Sequence, residues 1–544
     1  MRSGVKVALV GGVCTVLVGG AGYGAYNLLS ALHDPAGSGS GGTAAARTGP
    51  PSGGEVEDAS AKFLAAWAKG DADEAASYTN DAVEARPLLG DYATSAHITH
   101  VTITPGARHG STVPFSVKAT VAYEGRSRPL AYTGSLTVVR GLTTGRALVD
   151  WKPSVIHPAL QKGDTLVTGE AAKAPIEAVD RDGAVLTADK YPSLGPVLEA
   201  LRAKYGDKAG GSPGIELAVR HTAEDTPGKT LLTLSPGTPG KLRTTLSASA
   251  QAAAEGAVRQ YPESSVVAVR PSTGEVLAVA NHRKDGFDAA FEGRVAPGST
   301  MKIVSAAAAI DNGVTTMNGP APCPDSAVWQ SQTFHNLTGL EADEGATLAD
   351  SFRRSCNTAF VKLAGSDRMQ ADTLTREAED RFGLGRDNWK TGIVSFDGSV
   401  PAASGPDKAA NLIGQGQVQM SPLNMASVTA TAVTGTFRQP YLVPPGLDHR
   451  ELATAKGLPA ATVAQLKSMM HLTATQGTAQ PVMAGFSGDF GAKTGSAEVD
   501  GQAKSNSWFT GYRGDVAATA MSQGGGHGVD AAGPIVAAVL RTGG

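Results

Sequence analysis

The chain has 544 residues, a formal net charge of −3 and three cysteines. Its length supports two to four domains with ample core, and its near-neutral charge excludes a nucleic-acid binder. It contains no CxxC, no HExxH and no other ligand cluster, so neither a metal nor a cofactor is expected. Gly228-Lys229-Thr230 ends like a phosphate-binding loop, but Ala223 stands where that loop needs glycine.

In chain order, Arg2 and Lys6 precede VALVGGVCTVLVGGAGYGAYNLL, which stays uncharged as far as His33-Asp34. The run is long enough to span a bilayer, and the flanking positive charges put its N-terminus inside the cell. A cleaved signal peptide usually has a shorter apolar part that ends in an A-x-A site, and no such site ends this run, while Val13 before Cys14 disfavours a lipoprotein. The expectation is a membrane anchor over 1–30, followed by a Gly/Ser/Pro tether over 31–54, with the later domains extracytoplasmic.

Residues 55–158 begin with the amphipathic helix EVEDASAKFLAAWAKG, which places Phe63, Leu64 and Trp67 on one side, and a short helix over DADEAASYT. HITHVTITPG, TVPFSVKATVAYEG, RPLAYTGSLTVVRG and RALVDWKPS then alternate as strands. Two helices and a curled antiparallel sheet make a small α+β cone. Its His97 and His100 fit a sheet better than a ligand set, so the domain reads as a spacer. Residues 159–240 read as a pedestal: a strand and DRDG turn in PIEAVDRDGAVLT, a helix in YPSLGPVLEALRAKYG, and a hairpin from GIELAVRH to TLLTLSPG.

From 241 to 544 the pattern changes. SASAQAAAEGAVRQY reads as a helix and SSVVAVRPSTGEVLAVAN as a hairpin. FGAKTGSAEV, NSWFTGYRG and VAATAMSQ read as strands, closed by a helix over DAAGPIVAAVLRT. Strands at both ends of one domain imply a single antiparallel sheet flanked by helices.

Within that domain, Pro297-Gly298-Ser299-Thr300-Met301-Lys302 opens a small-residue helix that ends at Asn312-Gly313. Three residues apart on a helix, Ser299 and Lys302 share a face, so a hydroxyl sits beside a base. Alone, such a tetrad arises by chance roughly once in a chain this long. Two further motifs follow: Ser355-Cys356-Asn357, 56 residues after Ser299, and Lys493-Thr494-Gly495, 138 residues after Ser355. The ordered set, at a helix start, a helix end and a strand, is what penicillin-binding proteins and class A β-lactamases share.

The C-terminal 300 residues resemble the transpeptidase domain of penicillin-binding proteins. APGSTMKIVSAAAAI, SCNTAFVKLA, GQGQVQMSPLNMASVTATAV, QGTAQ and KTGSAEV…SWFTGY all look like family segments. The upstream part, ending WKPSVIHPALQKGDTL, is similar to the N-terminal domain of methicillin-resistance-type class B enzymes, which has a nuclear-transport-factor-2-like fold. No segment looks like a glycosyltransferase, which favours class B, with a glycosyltransferase of the cell-wall machinery as a partner.

The resemblance implies a serine D,D-transpeptidase that acts on peptidoglycan stem peptides and is acylated by β-lactams. It makes Ser299 the nucleophile, Lys302 the base, Ser355 the proton relay to the leaving amine, and Asn357 a substrate-amide ligand. Lys493 would hold Ser355, Thr494 would meet the substrate carboxylate, and Gly495 would admit the substrate backbone. The N–H groups of Ser299 and Ser496 would form the oxyanion hole. Ser496 and Ala492 stand where the family often has Thr and Gly. Gln415 and Gln417 read as turn residues, and Trp508 and Phe509 as core or cleft wall. Cys356 is either a free thiol or paired with Cys323.

Three rival functions share parts of this kit. A class A β-lactamase needs a Glu with Asn four positions on, and Glu377, Glu379 and Glu451 lack it. A D,D-carboxypeptidase differs only in using water as acceptor. A non-catalytic sensor or scaffold would keep the binding residues and lack turnover.

Overall fold

The structure is a computed structural model that describes residues 49–142, 144–221 and 228–543. The expected anchor over 1–30 and most of the tether lie outside the described residues. Among the described residues no helix is long and apolar enough to cross a membrane.

The first helix runs Gly53–Lys69, two residues earlier than the amphipathic pattern, because Ser52 caps it and Glu55 reciprocates in a capping box. Phe63, Leu64 and Trp67 are buried as the pattern requires. A short helix, Ala72–Ser77, follows. A third helix, Ala82–Ala93, was not expected, because Pro87 interrupts its sequence signal; Asp81 starts it by accepting the Glu84 N–H at 3.1 Å. Strands β1 (Ile98–Pro105), β2 (Thr112–Tyr123), β3 (Arg126–Arg140) and β4 (Ala147–Val149) form one antiparallel sheet in sequence order.

The next segment contributes β5 (Thr165–Glu170), β6 (Ile176–Val179), the helix Gly195–Tyr205, β7 (Ile215–Arg220), β8 (Lys229–Ser235) and β9 (Gly240–Arg243). Its strands form two separate sheets. β5-β7-β8 is antiparallel, and Leu166, Leu217, Val219 and Leu234 join the N-terminal core. β6 pairs parallel with β9, and Ala178, Leu201, Tyr205 and Leu242 join the C-terminal core. Arg202, on the helix, spans the two sets by donating to Glu216 Oε2 and to Thr230 Oγ1, each at 2.9 Å.

The C-terminal domain starts with the helix Ala248–Val258, β10 (Ser264–Val269) and β11 (Val276–His282). A two-stranded ribbon of β12 (Ser326–Trp329) and β13 (Gln332–His335) lies mid-chain. β14 (Phe490–Ala497), β15 (Asn506–Arg513) and β16 (Val516–Ser522) follow late. The sheet order is β11-β10-β16-β15-β14, so early and late strands close one antiparallel sheet as anticipated. Every residue of β10 and β16 is buried, as strands covered on both faces must be. Side-chain alternation divides them: Val267 and Val269 pack with the core that holds Met301 and Ile303, while Val266 and Ala268 pack under the helices Ala248–Val258 and Ala532–Leu540.

Candidate active site

The helix Lys302–Asp311 passes through the first of these cores. Its run Ala306–Ala309 is wholly buried, since only small side chains let neighbouring helices approach so closely. A single 3₁₀ turn, Gly298–Met301, leads into it and carries Ser299. Gly298 has φ +54° and donates its N–H to Gly414 O at 2.9 Å. A Cβ at Gly298 would collide with the Ser496 carbonyl, so glycine is what lets the turn press against β14. Ser299 remains half-buried at the cleft.

Lys302 is fully buried. Its Nζ lies 2.9 Å from Ser299 Oγ, 2.8 Å from Ser355 O and 2.7 Å from Asn357 Oδ1. Two of these atoms, the carbonyl and the amide oxygen, can only accept. A neutral amine has two N–H groups and one lone pair. Once both N–H groups are given to the acceptors, the lone pair faces the Ser299 hydroxyl, as a base must. Desolvation, and after it the charge of Lys493, hold Lys302 well below the ordinary lysine range. The Phe360 ring, 5.4 Å from Nζ, is part of the dry wall.

Lys493, also fully buried, lies on β14 and places Nζ 2.8 Å from Ser355 Oγ and 2.9 Å from Thr494 O. Burial lowers it to about 7. The Phe352 ring stands 5.6 Å from this ammonium.

Ser355 connects the two lysines, its carbonyl meeting Lys302 and its hydroxyl meeting Lys493. It does so in the left-handed region, at φ +58°, which a serine adopts at a cost of about 1–3 kcal/mol and holds only where its surroundings enforce it. They do. Cys356, the next residue, is disulfide-bonded to Cys323, which settles the open cysteine question in favour of pairing. Asn336 Oδ1 accepts the N–H groups of Asn357 at 2.8 Å and Thr358 at 3.1 Å, and its Nδ2 donates to Pro324 O at 2.8 Å. Asn357 begins the helix Asn357–Leu363 and donates one Nδ2 hydrogen to His335 O at 3.2 Å, leaving the second for a ligand.

All eight residues singled out in the sequence thus fall in one neighbourhood. Ser299, Lys302, Ser355, Asn357 and Lys493 are linked by direct hydrogen bonds, and Thr494, Gly495 and Ser496 continue along β14. A Cβ at Gly495 would lie 2.9 Å from Thr300 Cγ2, so its bareness also serves packing against the nucleophile turn. Three supporting residues were not anticipated: Asn336, the ring of Phe352, and Thr478, whose hydroxyl lies 2.6 Å from Thr494 Oγ1. No spacing rule marks Asn336. Thr478 sits in QGTAQ, noted only as a family-like segment. Among the described residues no group of three or more His, Cys, Asp or Glu side chains could hold a metal.

A family model described as the penicillin binding protein transpeptidase domain matches residues 264–541, just over half of the chain. A second, an NTF2-like N-terminal transpeptidase domain, matches residues 55–164. The peptidoglycan D,D-transpeptidase PbpA of Mycolicibacterium smegmatis is 30% identical over 249 residues, covering 38% of this chain and 48% of that protein. Penicillin-binding protein 3 of Bacillus subtilis is 28% identical over 296 residues, covering 45% and 42%. The chain therefore matches about half the length of these relatives. Among solved structures, Pseudomonas aeruginosa PBP2 superposes with a TM-score of 0.54 at 22% identity, over 68% of this chain and 96% of that one. A D,D-transpeptidase domain from Eggerthella lenta gives 0.51 at 22% identity, over 69% and 98%. The last two share the fold, which is the sheet and helix arrangement described above. From the domain match and the three motifs gathered in one cleft it follows that the chain belongs to the penicillin-binding protein transpeptidase family.

Proposed function

We propose that the protein is a serine D,D-transpeptidase that cross-links peptidoglycan stem peptides through an acyl-enzyme on Ser299, and that β-lactams acylate the same serine. The observation that carries this reading is the hydrogen-bond arrangement of Lys302, whose neutral form has its lone pair free for the Ser299 hydroxyl. Lys302 takes the hydroxyl proton as Oγ attacks the penultimate D-alanine carbonyl. The N–H groups of Ser299 and Ser496 receive the oxyanion. As the C–N bond breaks, Ser355 gives its proton to the leaving D-alanine amine, and Lys493, 2.8 Å away, resupplies it. The amine of a second stem then attacks the ester, its proton passes through Ser355 to Lys493, and as the ester bond breaks Lys302 returns its proton to Ser299 Oγ. Asn357 binds the donor's amide, and Thr494 and Ser496 its carboxylate.

Residues 55–158 and 159–240 are read as a scaffold that spaces this site from a single-pass anchor over 1–30, with the domains extracytoplasmic. The anchor rests on the uncharged run in the sequence. A glycosyltransferase of the cell-wall machinery is the proposed partner, a reading supported by the likeness of the fold to a chain from a peptidoglycan synthase complex that coordinates polymerization and crosslinking.

The test is a time course of labelling by a fluorescent penicillin. The expected result is a persistent one-to-one label that Ser299→Ala abolishes. Rapid release of the label would make the protein a hydrolase of the β-lactamase kind, and no labelling at all would make it a scaffold.

A further inference from the structure

Thr494 and Ser496 alternate with Lys493 and Gly495, so the two hydroxyls project from the same face of β14. Each is backed by a second polar group. Thr494 Oγ1 meets Thr478 Oγ1 at 2.6 Å, and Ser496 Oγ meets His527 Nδ1 at 3.4 Å.

His527 belongs to the loop between β16 and the helix Ala532–Leu540, and that loop is fastened to the sheet along its length. Gly526 donates its N–H to Ser505 O at 2.9 Å and takes the Ser505 hydroxyl on its own carbonyl at 2.9 Å. The His527 carbonyl accepts from Ser507 Oγ at 2.7 Å, and its N–H donates to Asp530 Oδ2 at 2.8 Å. A Cβ at Gly528 would collide with Trp508 O and lie 2.9 Å from Gly495 O, so the loop backbone lies directly on the Lys-Thr-Gly strand. The backbone of His527 is therefore fixed on both sides while its ring stays at the open rim beside Ser496.

We infer that His527 is a positioning residue for recognition of the substrate's terminal carboxylate, resting on the transpeptidase reading above. With Nδ1 protonated, the imidazole donates to Ser496 Oγ. That leaves the serine's own hydrogen to point outward, to a carboxylate. Without the imidazole the hydroxyl rotates among local acceptors and arrives at the carboxylate unoriented. At 3.4 Å the contact is at the long end of the hydrogen-bond range. His527 touches the hydroxyl, not the reacting carbonyl, so its effect is confined to substrates that carry the carboxylate.

The experiment compares acylation of the full chain by a penicillin and by its carboxylate methyl ester, in the wild type, His527→Ala and His527→Gln. His527→Ala is expected to slow the acid about five- to tenfold, the worth of one hydrogen bond, and the ester less than about twofold. His527→Gln, which keeps a donor, is expected to recover most of the loss. Equal losses for acid and ester would mean a merely structural loop, and no loss for either would mean an idle histidine; both overturn the inference while leaving the acyl-serine chemistry standing. A wild type that is acylated by neither compound would overturn the functional reading and this role together.

Discussion

The N-terminal and C-terminal domains differ in which titratable groups they bury. In the N-terminal domain, Tyr92 and Tyr132 share a hydrogen bond of 2.9 Å, and Tyr132 donates onward to Ile156 O at 2.6 Å. Burial pushes Tyr92 up to about 12, so it strengthens the neutral state that a phenol has at physiological pH anyway. Among the described residues that domain leaves its lysines exposed, and its Arg108–Glu57 pair is exposed as well. In the C-terminal domain, burial acts on two lysines and works against the charge they carry in water. Desolvation that reinforces a group's ordinary state builds structure. Desolvation that reverses it stores reactivity, and the two lysines beside Ser299 and Ser355 are an instance of it.

The sharpest way to break the contrast is Lys302→Arg. Arginine stays protonated and cannot act as a base, so acylation should fall by about 10³-fold or more with the fold retained. Stopped-flow labelling with circular dichroism checks both halves, and near-normal acylation would mean that the base lies elsewhere. Next is the disulfide, which closes a 33-residue separation between Cys323 and Cys356. Removing it by Cys323→Ser with Cys356→Ser should cost about 3–4 kcal/mol by loop entropy. It should also slow acylation, because the left-handed Ser355 loses one of its two clamps. Unchanged rates would leave Asn336 as the sole clamp.

Lys493 gives a pH test. Its folded value of about 7 lies below the ordinary 10.5, so between these limits the unfolded chain holds a proton that the folded chain lacks. Stability contributed at this position should therefore rise as pH rises from about 7 toward 10.5, and the full burial penalty is felt below 7. Denaturant midpoints across this range should climb more steeply for the wild type than for Lys493→Met, and parallel curves would refute a depressed lysine. The smallest effect belongs to the other domain. Tyr132→Phe should cost about 1 kcal/mol for the lost hydrogen bonds and leave acylation unchanged. A change in acylation would mean that the two domains are energetically coupled after all.

Much of the site was legible because its chemistry is carried by short, ordered strings whose residues cannot be exchanged. Ser299 with Lys302 needs only helical spacing, and the sheet follows from matching apolar strands at both ends of the domain. What escaped was long-range or masked. The helix Ala82–Ala93 hides behind Pro87. β5 and β9 are short, and each is stabilised by a partner 45 residues or more away. Asn336 acts through its side-chain oxygen on a turn that is distant in sequence, and the left-handed state of Ser355 leaves no trace in residue type. His527 meets Ser496 only because Gly528 lets two segments lie backbone to backbone.

The pedestal has a consequence for dissecting the molecule. β5, β7 and β8 belong to one core, and β6, the helix Gly195–Tyr205 and β9 to the other, and the two sets alternate along the chain. No single cut can divide them. A fragment starting at 241 would strand β9 without β6 and uncover the side chains around Leu201 and Tyr205. One ending at 158 would strip Leu166, Leu217 and Leu234 from the N-terminal core. The two halves are braided rather than joined end to end, so neither is a detachable module for grafting or recombination.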